Sequence, residues 1–214
     1  MKRPLIVTDC DEVLLHMVVP FRQWLDEVHD VHFDFENASF VNALRRKACG
    51  TVLEQGAVWD LLRAFFATEM HRQTPIEGAF ETLRDLEDMA DIVVLTNIGE
   101  EDHDNRIQQL RKLGLTYPVH WNQGGKGAPV ARLIEEYQPG AVLFVDDLAQ
   151  HHASVARHAP TVWRLHMVGE RELSPWIAPA PMAHRRIDIW RDAAPWIRSI
   201  LTEGMAAPLV ETSE

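Results

Sequence analysis

The chain has 214 residues, 46% apolar and 25% charged, enough for a hydrophobic core and inconsistent with a disordered or fibrous protein. A formal charge of -11 opposes the basic surface that tracks a phosphate backbone, so no nucleic-acid partner is expected. Cys10 and Cys49 alone make neither a disulfide framework nor a zinc site, and a reduced, cytoplasmic protein is expected.

The first apolar run, residues 5–7, meets Asp9 and Asp11 too soon to be a signal sequence and reads as a strand buried on both faces. Residues 14–75 then carry helical patterns over 21–28, 40–47 and 58–70 with no convincing strand, which predicts a small helical insert. Its aromatics, Trp24, Phe40, Trp59, Phe65 and Phe66, are expected to pack on one another and on the core. From residue 76 onward, helical patterns (79–89, 105–113, 129–137 and 187–201) alternate with apolar strand-like runs (92–95, 141–145 and 161–168). The alternation predicts an α/β fold, a Rossmann-like doubly wound parallel sheet with right-handed crossovers. Residues 1–13 and 76–204 would form this core, 14–75 the insert and 205–214 a loose tail. No run approaches the roughly 18 apolar residues of a membrane span, so no membrane partner is expected.

The first, second and third core runs end in Thr8-Asp9-Cys10-Asp11, Thr96-Asn97 and Asp146-Asp147. In an open α/β sheet the ligand crevice lies beyond the carboxyl ends of the strands, so these segments are expected to converge. A lone strand-end aspartate reads equally well as a helix cap; the combination points to a site. Crowded carboxylates call for a cation, and a donor set made only of oxygens selects Mg2+ over zinc. Lys126, in Gly124-Gly125-Lys126-Gly127, suits a phosphate because glycines allow close backbone approach while the ammonium offsets charge. The Ser or Thr that follows the lysine of a nucleotide-binding loop is replaced by Gly127.

In residue type, order and strand context, the chain from residue 4 to about 160 resembles the haloacid dehalogenase-like (HAD) phosphatases. The motifs that match are Asp9-Cys10-Asp11, Leu95-Thr96-Asn97, Lys126 and Phe144-Val145-Asp146-Asp147. Receiver domains gather similar residues, but with the acidic pair first and the lysine last. The resemblance implies a phosphatase that cleaves a small phosphorylated metabolite through an aspartyl-phosphate. Asp9 would be the nucleophile and Asp11 the general acid and then base. Thr96 and Asn97 would bind phosphoryl oxygens, and Lys126 would balance charge. Asp146 would hold Mg2+ with Asp9 and the backbone carbonyl of Asp11, and Asp147 would act through a water or orient the lysine. The insert would be a cap over the site. Alternatives are a phosphotransferase or phosphomutase of the same superfamily, or a non-catalytic binding protein on the same fold.

One departure is Glu12-Val13, where many relatives have Gly-Thr, which implies a different turn at the mouth of the insert. Two readings stay open for His16, His151 and His152: contact with substrate, or histidines tolerated near a helix start. Cys10 is expected to face the core rather than the crevice.

Overall fold

The computed structural model describes residues 2–34 and 40–210. Its centre is a six-stranded sheet in the order β5-β4-β1-β6-β7-β8, where β1 is Leu5–Thr8, β4 Asp91–Asn97, β5 Val119–Asn122, β6 Val142–Asp146, β7 Trp163–His166 and β8 Arg185–Arg186. Neighbouring strands pair in parallel throughout. Side chains alternate between two covered faces, so a central strand has to be apolar at every position. Ile6, Val94 and Leu143 pack with α3 (Ala79–Leu86), α4 (His103–Lys112) and α7 (Trp190–Glu203). Leu5, Val7, Val93 and Phe144 pack on the other face with α5 (Gly127–Tyr137) and α6 (Ala149–His158). This is the doubly wound sheet expected from the sequence.

The insert is not wholly helical. After α1 (Val18–Val28), an antiparallel pair joins β2 (Val31–Phe33) to β3 (Leu44–Arg46), followed by α2 (Gln55–Thr68). The helix expected over 40–47 is thus replaced by a single 3-10 turn at Phe40–Asn42 and the strand β3. Its apolar spacing serves a bend onto the aromatic cluster rather than a helical stripe. Phe21 lies at the centre of that cluster, with its ring 5.3 to 6.3 Å from those of Trp24, Phe33, Phe40 and Phe65. Ile98, just past β4, belongs to the same cluster and joins the insert to the core. Residues 35–39 of the insert lie outside the described residues.

Two paired connections carry the chain out of the core and back. The Ile76 N–H donates to the Leu14 carbonyl and the His16 N–H to the Thr74 carbonyl, each at 2.9 Å. The tail from 205 to 210, expected to be loose, is tied down instead. The Ala207 N–H donates to the Thr161 carbonyl, and the Trp163 and His184 rings donate to the Met205 and Pro208 carbonyls, all at 2.9 Å. Residues 211–214 lie outside the described residues. Among the described residues no helix is long and apolar enough to cross a membrane.

Candidate active site

The carboxyl ends of β1, β4 and β6 meet as expected. The β1 ladder runs one step past its last residue, with the Asp9 N–H donating to the Val145 carbonyl at 2.8 Å, which fixes Asp9 beside the end of β6. Its Oδ1 accepts the Cys10 N–H and the Lys126 ammonium, both at 2.7 Å. Lys126 is fully buried at the start of α5, and its Nζ also donates to Asp146 Oδ2 at 2.7 Å. The other oxygen of Asp146 accepts the Leu148 N–H at 2.9 Å, so both partners of the lysine are held in orientation. Burial disfavours the ammonium, but the charges of Asp146 and Asp9 prevail and raise the Lys126 pKa above its ordinary value.

Asp9, Asp146 and Asp147 each present an oxygen, all within 4.8 Å of one another. Burial pushes the Asp9 pKa up, opposed by Lys126 and reinforced by Asp146. Asp147 is pushed well above the carboxylate range by burial and by Asp146 and Asp9. One ammonium against these carboxylates leaves negative charge uncompensated when all are ionised. An oxygen-only donor set with surplus negative charge fits a hard divalent cation.

Thr96, at the end of β4, is fully buried, and its Oγ1 has no hydrogen-bond partner. A buried hydroxyl left unpaired at a strand end is available to a ligand oxygen. Asn97 turns elsewhere. Its Nδ2 donates to the Gly124 carbonyl at 2.9 Å and its Oδ1 accepts Asn122 Nδ2 at 2.9 Å, so the amide pins the loop that carries Lys126.

The histidines divide by position. His151 is buried, its Nε2 3.4 Å from Asn97 Nδ2 and its Nδ1 unpartnered. His152 lies behind the acidic loop, donating from Nε2 to the Asp146 carbonyl at 3.0 Å. His166, which the sequence reading did not single out, donates from Nε2 to the Asp147 carbonyl at 2.8 Å and accepts the Ala180 N–H at Nδ1. Burial pushes the His152 pKa down to about 3 and lowers that of His166, so both brace the loop as neutral rings. His16 pairs with Glu170 at 2.8 Å.

The Asp11 carboxylate takes other partners than the Asp9–Asp146–Asp147 cluster. Its Oδ1 accepts Gln73 Nε2 at 2.6 Å, and Arg106 Nη2 donates to both carboxylate oxygens at 3.0 Å. Cys10 is fully buried, as expected, and accepts Arg106 Nη1 at 3.0 Å; burial pushes the thiol up to about 12. Glu12 adopts φ 60° and directs its Oε1 to the N–H groups of Met17 and Val18 at 2.8 and 2.6 Å. A side chain from the turn itself thereby holds the start of α1. Arg106 and Gln73 are absent from any motif. The available signal was the stripe Asp102, Arg106, Leu110, two charged residues in line with a leucine at four-residue steps on a face that the fold buries.

No protein-family model matches the chain, and no curated protein matches it in sequence. Solved structures do. A haloacid dehalogenase-like family hydrolase from Streptococcus pneumoniae superposes with a TM-score of 0.64 at 11% identity, over 90% of this chain and 97% of that one. The HAD-hydrolase YfnB from Bacillus subtilis, bound to magnesium, gives 0.63 at 15% identity over 94% and 99%. A predicted phosphoglycolate phosphatase from Haemophilus somnus gives 0.60 at 13% over 90% and 97%. The chain has the haloacid dehalogenase-like fold.

Proposed function

We propose that the chain is a magnesium-dependent phosphohydrolase that cleaves a small phosphomonoester through an aspartyl-phosphate on Asp9. The observation that carries this reading is the buried Lys126 ammonium, which bridges the carboxylates of Asp9 and Asp146, at the same edge of the sheet as the unpartnered hydroxyl of Thr96. The fold's likeness to HAD-type hydrolases and to a predicted phosphoglycolate phosphatase supports it. Asp9, Asp146 and Asp147, with the backbone carbonyl of Asp11, would hold Mg2+, which supplies charge neutralisation for the transferring phosphoryl group.

An oxygen of Asp9 attacks phosphorus while the bond to the leaving oxygen breaks, its electron pair going to that oxygen and a proton arriving from Asp11. Water then attacks the phosphoryl group and gives a proton to Asp11. The Asp9–phosphorus bond breaks, releasing orthophosphate and restoring the carboxylate. Thr96 donates its hydroxyl proton to a phosphoryl oxygen, and Lys126 keeps Asp9 oriented and offsets the charge that accumulates.

The test is release of phosphate from a panel of sugar phosphates, nucleotides and an aryl phosphate, with Mg2+ or chelator and without an organic acceptor. Mg2+-dependent release that Asp9→Asn abolishes is the expected result. Folded wild-type protein that releases phosphate from none of the panel would overturn the reading, and release only on addition of an organic acceptor would redirect it to a phosphotransferase.

A further inference from the structure

The Asp11 carboxylate is surrounded by donors. Arg106 Nη2 reaches both of its oxygens at 3.0 Å and Gln73 Nε2 reaches Oδ1 at 2.6 Å. A guanidinium is planar and donates in a fixed fork, so it sets the plane of the carboxylate it grips, and the Gln73 amide fixes which oxygen lies towards it. The geometry of Arg106 is unusually constrained for a charged residue. It is fully buried on α4, its other terminal nitrogen is spent on Cys10 Sγ at 3.0 Å, and Phe66 of the insert lies 5.5 Å from its guanidinium carbon. Cys10 is the residue between Asp9 and Asp11, so a single guanidinium grips the loop on which both carboxylates stand.

We infer that Arg106 is a positioning residue for the second half of the reaction, holding Asp11 as the base that takes a proton from the water attacking the phosphorylated Asp9. The inference rests on the phosphohydrolase reading. In that step the water oxygen bonds to phosphorus, its proton passes to Asp11, and the phosphorus–oxygen bond to Asp9 breaks with its electrons returning to the Asp9 carboxylate. An aryl phosphate with a good leaving group needs little protonation in the first half, so its steady-state rate reports mainly the half that needs the base.

The experiment compares wild type, Arg106→Gln and Arg106→Lys on 4-nitrophenyl phosphate with Mg2+, reading the nitrophenol burst, kcat and kcat/KM in one preparation of each. In Arg106→Gln, kcat is expected to fall roughly tenfold or more, within the range that a positioned proton-transfer group supplies. The burst should persist, kcat/KM should stay near the wild-type value so that KM falls in parallel, and Arg106→Lys should recover part of kcat. The burst amplitude counts competent sites, so a smaller folded fraction lowers the amplitude without imitating the split. Should Arg106→Gln fail to fold, Arg106→Lys carries the test, because its ammonium cannot reproduce the fork and should show the same split in weaker form. A parallel fall of kcat and kcat/KM, or no change in either, would overturn the role of Arg106 while leaving the phosphohydrolase reading intact. A wild-type protein with neither burst nor turnover on this substrate or on the panel would sink both.

Discussion

Thr96 carries a hydroxyl that the fold buries and leaves without a partner, an arrangement that costs stability in any protein. Thr96→Val, of near-equal volume, removes the unpaired oxygen. Thermal melts should show stability unchanged or raised by up to about 1 kcal/mol, while kcat/KM falls by roughly a hundredfold if the hydroxyl donates to the phosphoryl group. Stability and activity falling together would make the hydroxyl a structural group instead. Residues of this kind were legible because Asp9, Thr96 and Asp146 each stand at the end of an uninterrupted apolar run, where a polar side chain has no packing role. Arg106, Gln73 and His166 were not, since each acts through contacts with residues distant in the chain. Asn97 was found at its strand end, but its contact with Gly124 depends on where the lysine loop falls, which no local pattern encodes.

At the scale of elements, the placement of Lys126 depends on how closely α5 can approach α6. A Cβ on Gly127 would stand 2.3 Å from the Ser154 carbonyl oxygen and 2.7 Å from its carbon, both backbone atoms of α6. That contact accounts for glycine directly after the lysine, where a nucleotide-binding loop has a hydroxyl residue. Gly127→Ala should therefore cost about 1–3 kcal/mol in urea unfolding, the range for overpacking a tight contact. On the proposed phosphohydrolase reading, activity should fall further than the folded fraction does, because Lys126 moves with α5. Elements with strong periodicity or continuous apolar runs could be read from the sequence. The edge strand β5 could not, since Val-His-Trp-Asn covers no core on both faces, and α6 was visible only as an alternative reading of the histidines. In the insert, strands of three residues are too short for alternation to register, and the spacing of Phe40 and Leu44 imitates a helical step.

For the molecule as a whole, pH acts on stability through groups that the fold keeps in an unusual protonation state. His152 is held down to about 3 by burial, whereas an unfolded chain takes up that proton near pH 6.5. Between those values the unfolded state binds the extra proton, so this contribution is intact above pH 6.5 and is lost progressively as pH falls. The raised carboxyls, including Glu12 at about 8, act in the opposite sense, so the histidine is isolated by taking a difference between proteins. His152→Gln retains an N–H donor for the Asp146 carbonyl but cannot titrate. Relative to wild type, it should gain about 1.4 kcal/mol per pH unit on going from pH 6 to pH 4, measured by denaturant unfolding. A difference independent of pH would show that the ring is protonated in the fold.

The paired connections at Leu14–Ile76 and His16–Thr74 also bear on how this architecture can diversify. The insert is a closed loop whose two ends are already clasped, so the chain entropy of bringing them together depends only weakly on what lies between. Doubling the length of a flexible loop costs only about 0.6 kcal/mol. A larger or smaller insert can be grafted at the same clasp without re-registering a strand, so this segment is free to drift while the acidic cluster at the strand ends stays in place.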